Sequence, residues 1–192
     1  SVRRHSPAEL EHFVEAIDAA LTEPASILVI GGAAAALAYG ATRATDDIDT
    51  FHPLTPAVEK AVELARRSTG LNIPVSFAAV ADAPHDFEDR LVPIRGLPLK
   101  RLTVVVPERH DLVLMKTLRG YQHDVEVIDQ IHRGQPLVFE VLRSRWKSEM
   151  THVVADPRRI NLNFVEVVDH LFGRERAEAV RRELGRGRGL DR

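Results

Sequence analysis

Apolar positions in residues 7–22 (PAELEHFVEAIDAALT) recur at spacings of three and four: Leu10, Phe13, Val14, Ile17 and Leu21. That period lines one face of an amphipathic helix. Ser6 before Pro7 provides a cap and a first-turn proline, and Glu23-Pro24 ends the run. Residues 26–30 (SILVI) are continuously apolar, as a buried strand is. Gly31-Gly32 breaks that run, and AAAALAYG continues as a helix of small side chains stopped by Gly40. Residues 47–50 (DIDT) alternate, predicting a short strand with Asp47 and Asp49 on one face and Asp46 on the other. Residues 55–69 predict a helix capped by Thr55, with Pro56 in its first turn and Gly70 as its stop. Residues 73–80 (IPVSFAAV) predict a third strand, ADAPHDFEDR a loop, and residues 91–106 a hairpin. Pro93 makes the first arm of that hairpin a sheet edge.

From Pro107 the period becomes helical, over PERHDLVLMKTLRG and then residues 122–133, 136–150 and 157–185. The fold class expected is α+β: a small mixed sheet flanked by helices in residues 1–106, a helical region in 107–185, and a disordered Gly/Arg-rich tail in 186–192. Composition narrows the function classes. The chain has 192 residues, 44% hydrophobic and 28% charged, the make-up of a globular domain. It has no cysteine, which removes thiol nucleophiles, Cys-ligated zinc and disulfides. The net charge of -2 argues against a molecule-wide attraction to nucleic acid. The N-terminal SVRRHSPAEL lacks the apolar core of a secretory leader, and no apolar run approaches the ~20 residues of a membrane span. A cytoplasmic protein without membrane contact is expected.

The chemistry concentrates in residues 27–51, ILVIGGAAAALAYGATRATDDIDTF. A Gly-Gly turn at a helix N-terminus lets backbone N–H groups approach an anion closely, and the helix dipole favours negative charge there. Two carboxylates at i and i+2 on a strand repel unless a cation lies between them, and hard oxygen ligands suit Mg²⁺. A phosphate cradle beside a Mg²⁺-binding acid pair is what in-line nucleotidyl transfer needs.

The order glycine pair, helix, Asp-x-Asp resembles the core signature of the DNA polymerase beta-type nucleotidyltransferase superfamily. The run GGAAAALAYGATRATDDID resembles most closely the minimal nucleotidyltransferases of the AbiEii toxin group. In that group a later helix carries a Lys followed by an Asp, and DLVLMKTLRGYQHDVEVIDQI places Lys116 and Asp124 there. The resemblance spans residues 25–132 and implies a nucleotidyltransferase-type core. It implies that Gly31 and Gly32 cradle the triphosphate and that Arg43 and Thr45 contact phosphate. Asp47 and Asp49 would bind Mg²⁺, Lys116 would reach the triphosphate, and Asp124 would orient Lys116 or contact metal or nucleotide. The activity implied is Mg²⁺-dependent transfer of NMP from an NTP to an RNA (tRNA 3′ ends) or protein acceptor, with release of pyrophosphate. The biological setting implied is a bacterial toxin–antitoxin or defence pair, with an antitoxin as partner.

One position departs from the pattern. The superfamily usually carries a third carboxylate on the next strand, where this chain has Ser76. His123-Asp124 also differs from the Arg-Asp pair common at that point. The missing acid opens a second reading, a catalytically silent module that binds a nucleotide or a protein. Other features read as structural. The nine histidines show no metal-ligand spacing, though His110 and His123 flank the Lys116 helix. Trp146, spaced by four from Leu142 and Met150, belongs to a core. Arg66-Arg67, Arg158-Arg159 and Arg181-Arg182 read as solvated helix faces, with an RNA track as the alternative.

Overall fold

The structure is a computed structural model that describes residues 3–120, 122 and 124–186. His123 and, past Arg186, the expected disordered tail lie outside the described residues. The chain divides into two compact units. One comprises the chain up to Ala81 together with Phe87–Glu108; the other comprises Asp82–Asp86 together with the chain from Arg109 onward.

The first unit holds α1 (Pro7–Ala20), β1 (Ala25–Ile30), α2 (Gly31–Tyr39), β2 (Ile48–Thr50), α3 (Pro56–Thr69), β3 (Val75–Phe77), a 3₁₀ turn (Phe87–Arg90), β4 (Val92–Pro93) and β5 (Leu102–Val106). The sheet order is β3-β2-β1-β5-β4. β1 pairs parallel with β5 and antiparallel with β2; β2 pairs parallel with β3, and β4 antiparallel with β5. The expected mixed α/β class is thus what the chain forms.

Register decides which side chains share a face. Ile27, Val29, Ile48, Thr50, Leu102 and Val104 fall on one face, and all are buried. Ser26, Ile30, Asp49, Ser76 and Thr103 fall on the other. That second face is more open: Ser26, Ser76 and Thr103 are exposed and Asp49 is half-buried.

The helices form where caps and period agree. α1 buries Leu10, Phe13, Val14 and Ile17, and its first turn closes with a capping box between Ser6 and Glu9. α3 buries Val58, Ala61, Val62 and Ala65, starts at Thr55 and stops at a left-handed Gly70.

Three sequence expectations change. The strand expected over residues 73–80 is only Val75–Phe77. Its ladder ends with Ala78 N–H donating to Thr50 C=O, at the residue where β2 itself ends. Asp46 lies in a bend ahead of β2 rather than on the opposite strand face, exposed and 3.6 Å from Arg4. The loop after β3 contains the 3₁₀ turn, whose Phe87 packs edge-on against Phe51.

The second unit holds α4 (Arg109–Thr117), α5 (Val125–Gly134), α6 (Phe139–Glu149), α7 (Pro157–Phe172) and α8 (Arg174–Arg186). The helical stretch 157–185 breaks at Gly173, whose φ of 95° an L side chain adopts only under strain. Trp146 is core: it stacks on Phe164 with ring centroids 4.6 Å apart and donates to Asn161.

One buried carboxylate ties α1 to the sheet. Asp18 accepts backbone N–H bonds from Lys100, Arg101 and Leu102 at 2.7–3.1 Å. Burial alone pushes its pKa up, but the three N–H donors outweigh it and hold the carboxyl below its usual 3.8. A depressed folded pKa contributes stability that is complete above the unfolded value and is lost as pH falls through the folded one. Asp18→Asn should therefore cost about 2 kcal/mol in urea unfolding at pH 7. Its difference from the parent should shrink as pH drops below 3.8.

Candidate active site

The β1–α2 junction is built by one backbone reversal. Ile30 is extended (φ -124°, ψ -179°), and Gly31 follows at φ 69°, so the chain leaves the strand directly into a helix. A β-carbon at that φ costs about 1–2 kcal/mol, which selects glycine. The N-cap residue Ile30 makes no side-chain cap at the start of α2, and the first-turn N–H groups of a helix have no acceptor within the helix.

Asp49 sits beside this turn. It pairs in register with Ile30, the residue before Gly31, and a β-carbon placed on Gly31 would lie 3.8 Å from Asp49 Oδ2. Asp47 precedes β2 by one residue and is half-buried like Asp49, while Ile48 between them is buried. Gly32 has a different reason to be glycine. A β-carbon there would meet the Thr45 methyl at 2.9 Å. Thr45 donates from Oγ1 to the Asp47 carbonyl at 3.2 Å, and its backbone bridges His5 through bonds of 2.7 and 2.9 Å. Thr45 is thus seated between α2 and the first acid. Arg43 is exposed in the same connection.

The residues fit a magnesium ion in one respect and limit it in another. Mg²⁺ is commonly held by one or two carboxylates, with waters and substrate phosphate oxygens completing its shell, and the Asp49 carboxylate beside the start of α2 is a donor of that kind. Among the described residues no group of three or more His, Asp or Glu side chains forms a fuller cage. Ser76 stands in register with Asp49 on β3, the position where a third carboxylate would share the row.

Lys116 and Asp124 belong to the helical unit, where they pair with each other at 3.2 Å and are both buried. The structure brings this expected pair together. His110 on the same helix accepts the Val138 N–H at Nε2, 2.8 Å away, which ties α4 to the start of α6. One residue that matters here carries no motif in the sequence: His5 pins the Thr45 connection from 40 residues away.

Residues 8–171 match the family described as "Nucleotidyltransferase of unknown function (DUF6036)". The chain belongs to that family. The match takes in Gly31, Gly32, Asp47, Asp49, Lys116 and Asp124 of this DUF6036 nucleotidyltransferase. No curated protein and no solved structure is significantly similar to it. Among the described residues no helix is long and apolar enough to cross a membrane.

Two stability measurements check this geometry. Gly32→Ala should cost about 1–3 kcal/mol by overpacking against Thr45. Thr45→Ser removes the methyl but keeps the hydroxyl, so the double variant should recover about 1 kcal/mol or more in a double-mutant cycle. In the helical unit, Lys116→Met alone should cost about 3 kcal/mol by leaving Asp124 charged and buried, and Lys116→Met/Asp124→Leu should cost less.

Proposed function

We propose that this protein is a Mg²⁺-dependent nucleotidyltransferase that moves NMP from an NTP to a hydroxyl acceptor on RNA or protein and releases pyrophosphate. The observation that carries this reading is the placement of Asp49 beside the Gly31 turn at the start of α2, within a chain of a nucleotidyltransferase family. Asp47 and Asp49 would hold the metal, which when bound neutralises phosphoryl oxygens and lowers the pKa of an attacking hydroxyl. The N–H groups at the start of α2 donate to triphosphate oxygens. Thr45 holds the Asp47 backbone in place, and Arg43 adds a fixed positive charge to the connection. By the resemblance, Lys116 would reach the triphosphate, and Asp124 would orient Lys116 or contact metal or nucleotide. The likeness of residues 27–51 to AbiEii-type toxins supports a toxin–antitoxin setting, with an antitoxin as partner and tRNA 3′ ends as the RNA acceptor.

A second reading is favoured by Ser76: with no carboxylate on β3 to share the row with Asp49, the site binds nucleotide without turnover. Calorimetry with each NTP, with and without Mg²⁺, followed by assays for transfer, separates the two. Under the first reading, Asp47→Asn and Asp49→Asn lower transfer of α-labelled NMP by about 10²-fold or more while thermal unfolding stays near the parent's. Full activity in either variant would remove the metal assignment. Nucleotide binding with no transfer to any acceptor would leave the silent module.

A further inference from the structure

We propose that the turn joining α5 to α6 is a histidine lock that acid opens: His110 and His132, both neutral, hold its two consecutive amides, and protonation of the rings releases the turn while the helices around it stay folded. The lock lies within the helical unit and needs nothing from the transfer reading.

The turn lacks the devices that usually close a helix. α5 gives way to Gln135 in an extended conformation rather than to a left-handed residue, and the N-cap of α6, Val138, makes no side-chain cap. Pro136 has no N–H, so the next donors along the chain are Leu137 and Val138. Each finds an imidazole. Leu137 N–H donates to His132 Nδ1 at 2.9 Å, and Val138 N–H donates to His110 Nε2 at 2.8 Å. His132 comes from α5 and His110 from the first turn of α4, so three helices meet at two adjacent peptide units.

A backbone amide can only donate. The ring nitrogen facing it must carry a lone pair, which imidazole offers at one nitrogen when neutral and at neither when charged. The tautomers follow: His132 keeps its proton on Nε2 and His110 on Nδ1. A proton added to His132 Nδ1 or His110 Nε2 sets N–H against N–H and turns the attraction into repulsion. The locked form therefore binds fewer protons than an unfolded chain wherever histidine ordinarily charges, near pH ~6.5. Its contribution is complete above that range and is lost as pH falls through it.

The neighbouring charges offer no substitute. Arg109 donates from Nε and Nη2 to the Pro136 carbonyl at 3.2 and 3.0 Å. It does not titrate, so Pro136 stays held in acid while the two amides after it are freed. Asp111, next to His110, is paired with Arg145 of α6 at 3.1 Å, and Glu140 in the first turn of α6 with Arg143. Asp129, one turn before His132, is paired with His170 of α7 at 2.7 Å. Arg133 follows His132 in the chain, and the His132 ring packs edge-on against Phe172, over which Arg176 of α8 lies. Lys116 lies further along the helix that carries His110, and Asp124 is the N-cap of the helix that carries His132. The turn thus braces both helices that present the buried pair.

The full chain, labelled with ¹⁵N, provides the test. At about pH 7.5, scalar couplings across the hydrogen bonds should join Leu137 N to His132 Nδ1 and Val138 N to His110 Nε2. Hydrogen-exchange protection of those two amides should fall reversibly by about tenfold or more on going to about pH 5, while the α7 amides of Val165 and Val168 keep theirs. His132→Asn and His110→Gln put an amide oxygen where each ring nitrogen accepts and do not titrate. In the double variant the fall should vanish; in His170→Gln it should persist. Equal protection at both pH values in the parent overturns the lock, as does loss of α7 protection in step with that of the turn. A proton on His132 Nδ1 or His110 Nε2 of the parent at about pH 7.5 overturns it without recourse to any variant. A fall of the same size in the double variant overturns it by assigning the sensitivity to other groups.

Discussion

The antiparallel pairing of β1 with β2, in the register that sets Ile30 against Asp49, is the constraint on which the rest of the first unit depends. A shift of one residue would carry Asp49 to the face that buries Val29 and Val104 and bring Thr50 out in its place. An unpaired carboxylate among those side chains would cost several kcal/mol. The hydrophobic alternation Ile48–Thr50 therefore does double duty: it stabilises the sheet and it fixes where the acid oxygens emerge. Because Gly31 follows Ile30 without a linker, the same register delivers Asp49 to the start of α2.

Around this pairing, polar groups hold what hydrophobic packing cannot aim. Asp18 gathers three N–H groups where the chain enters β5, and so ties α1 to the strand beside β1. Thr45 spends its hydroxyl on the Asp47 carbonyl and its backbone on His5. Each is a small contribution by itself, about 1 kcal/mol for an ordinary hydrogen bond and more for a charged acceptor. Their value lies in direction, since a carboxylate pair that is to share a cation must be held before the cation arrives.

What the sequence made legible follows from the range of the forces involved. α1 and α3 could be read nearly to the residue because cap, first-turn proline, period and stop lie within one stretch of chain. The order glycine turn, helix, acid strand was legible for the same reason. The length of β3 was not, because it is set by where β2 ends. Asp18 was not, because its donors lie 82 to 84 residues away. Gly32 shows a subtler case: its residue type was foreseen as a phosphate approach, and its immediate neighbour is the Thr45 methyl. Lys116 and Asp124 form a buried pair, one of the arrangements the resemblance allowed; burial of that kind is invisible to spacing alone.

The serine at position 76 brings the two ends of this reasoning together. Two carboxylates are enough to hold one magnesium ion when a triphosphate supplies further oxygens, so a serine at this position leaves the proposed metal site its two acids. A serine in that row carries no charge, and its strand continues into an exposed run with no charge at all. A carboxylate there would add a third acid to the row that holds Ile30 and Asp49 on the more open face of the sheet.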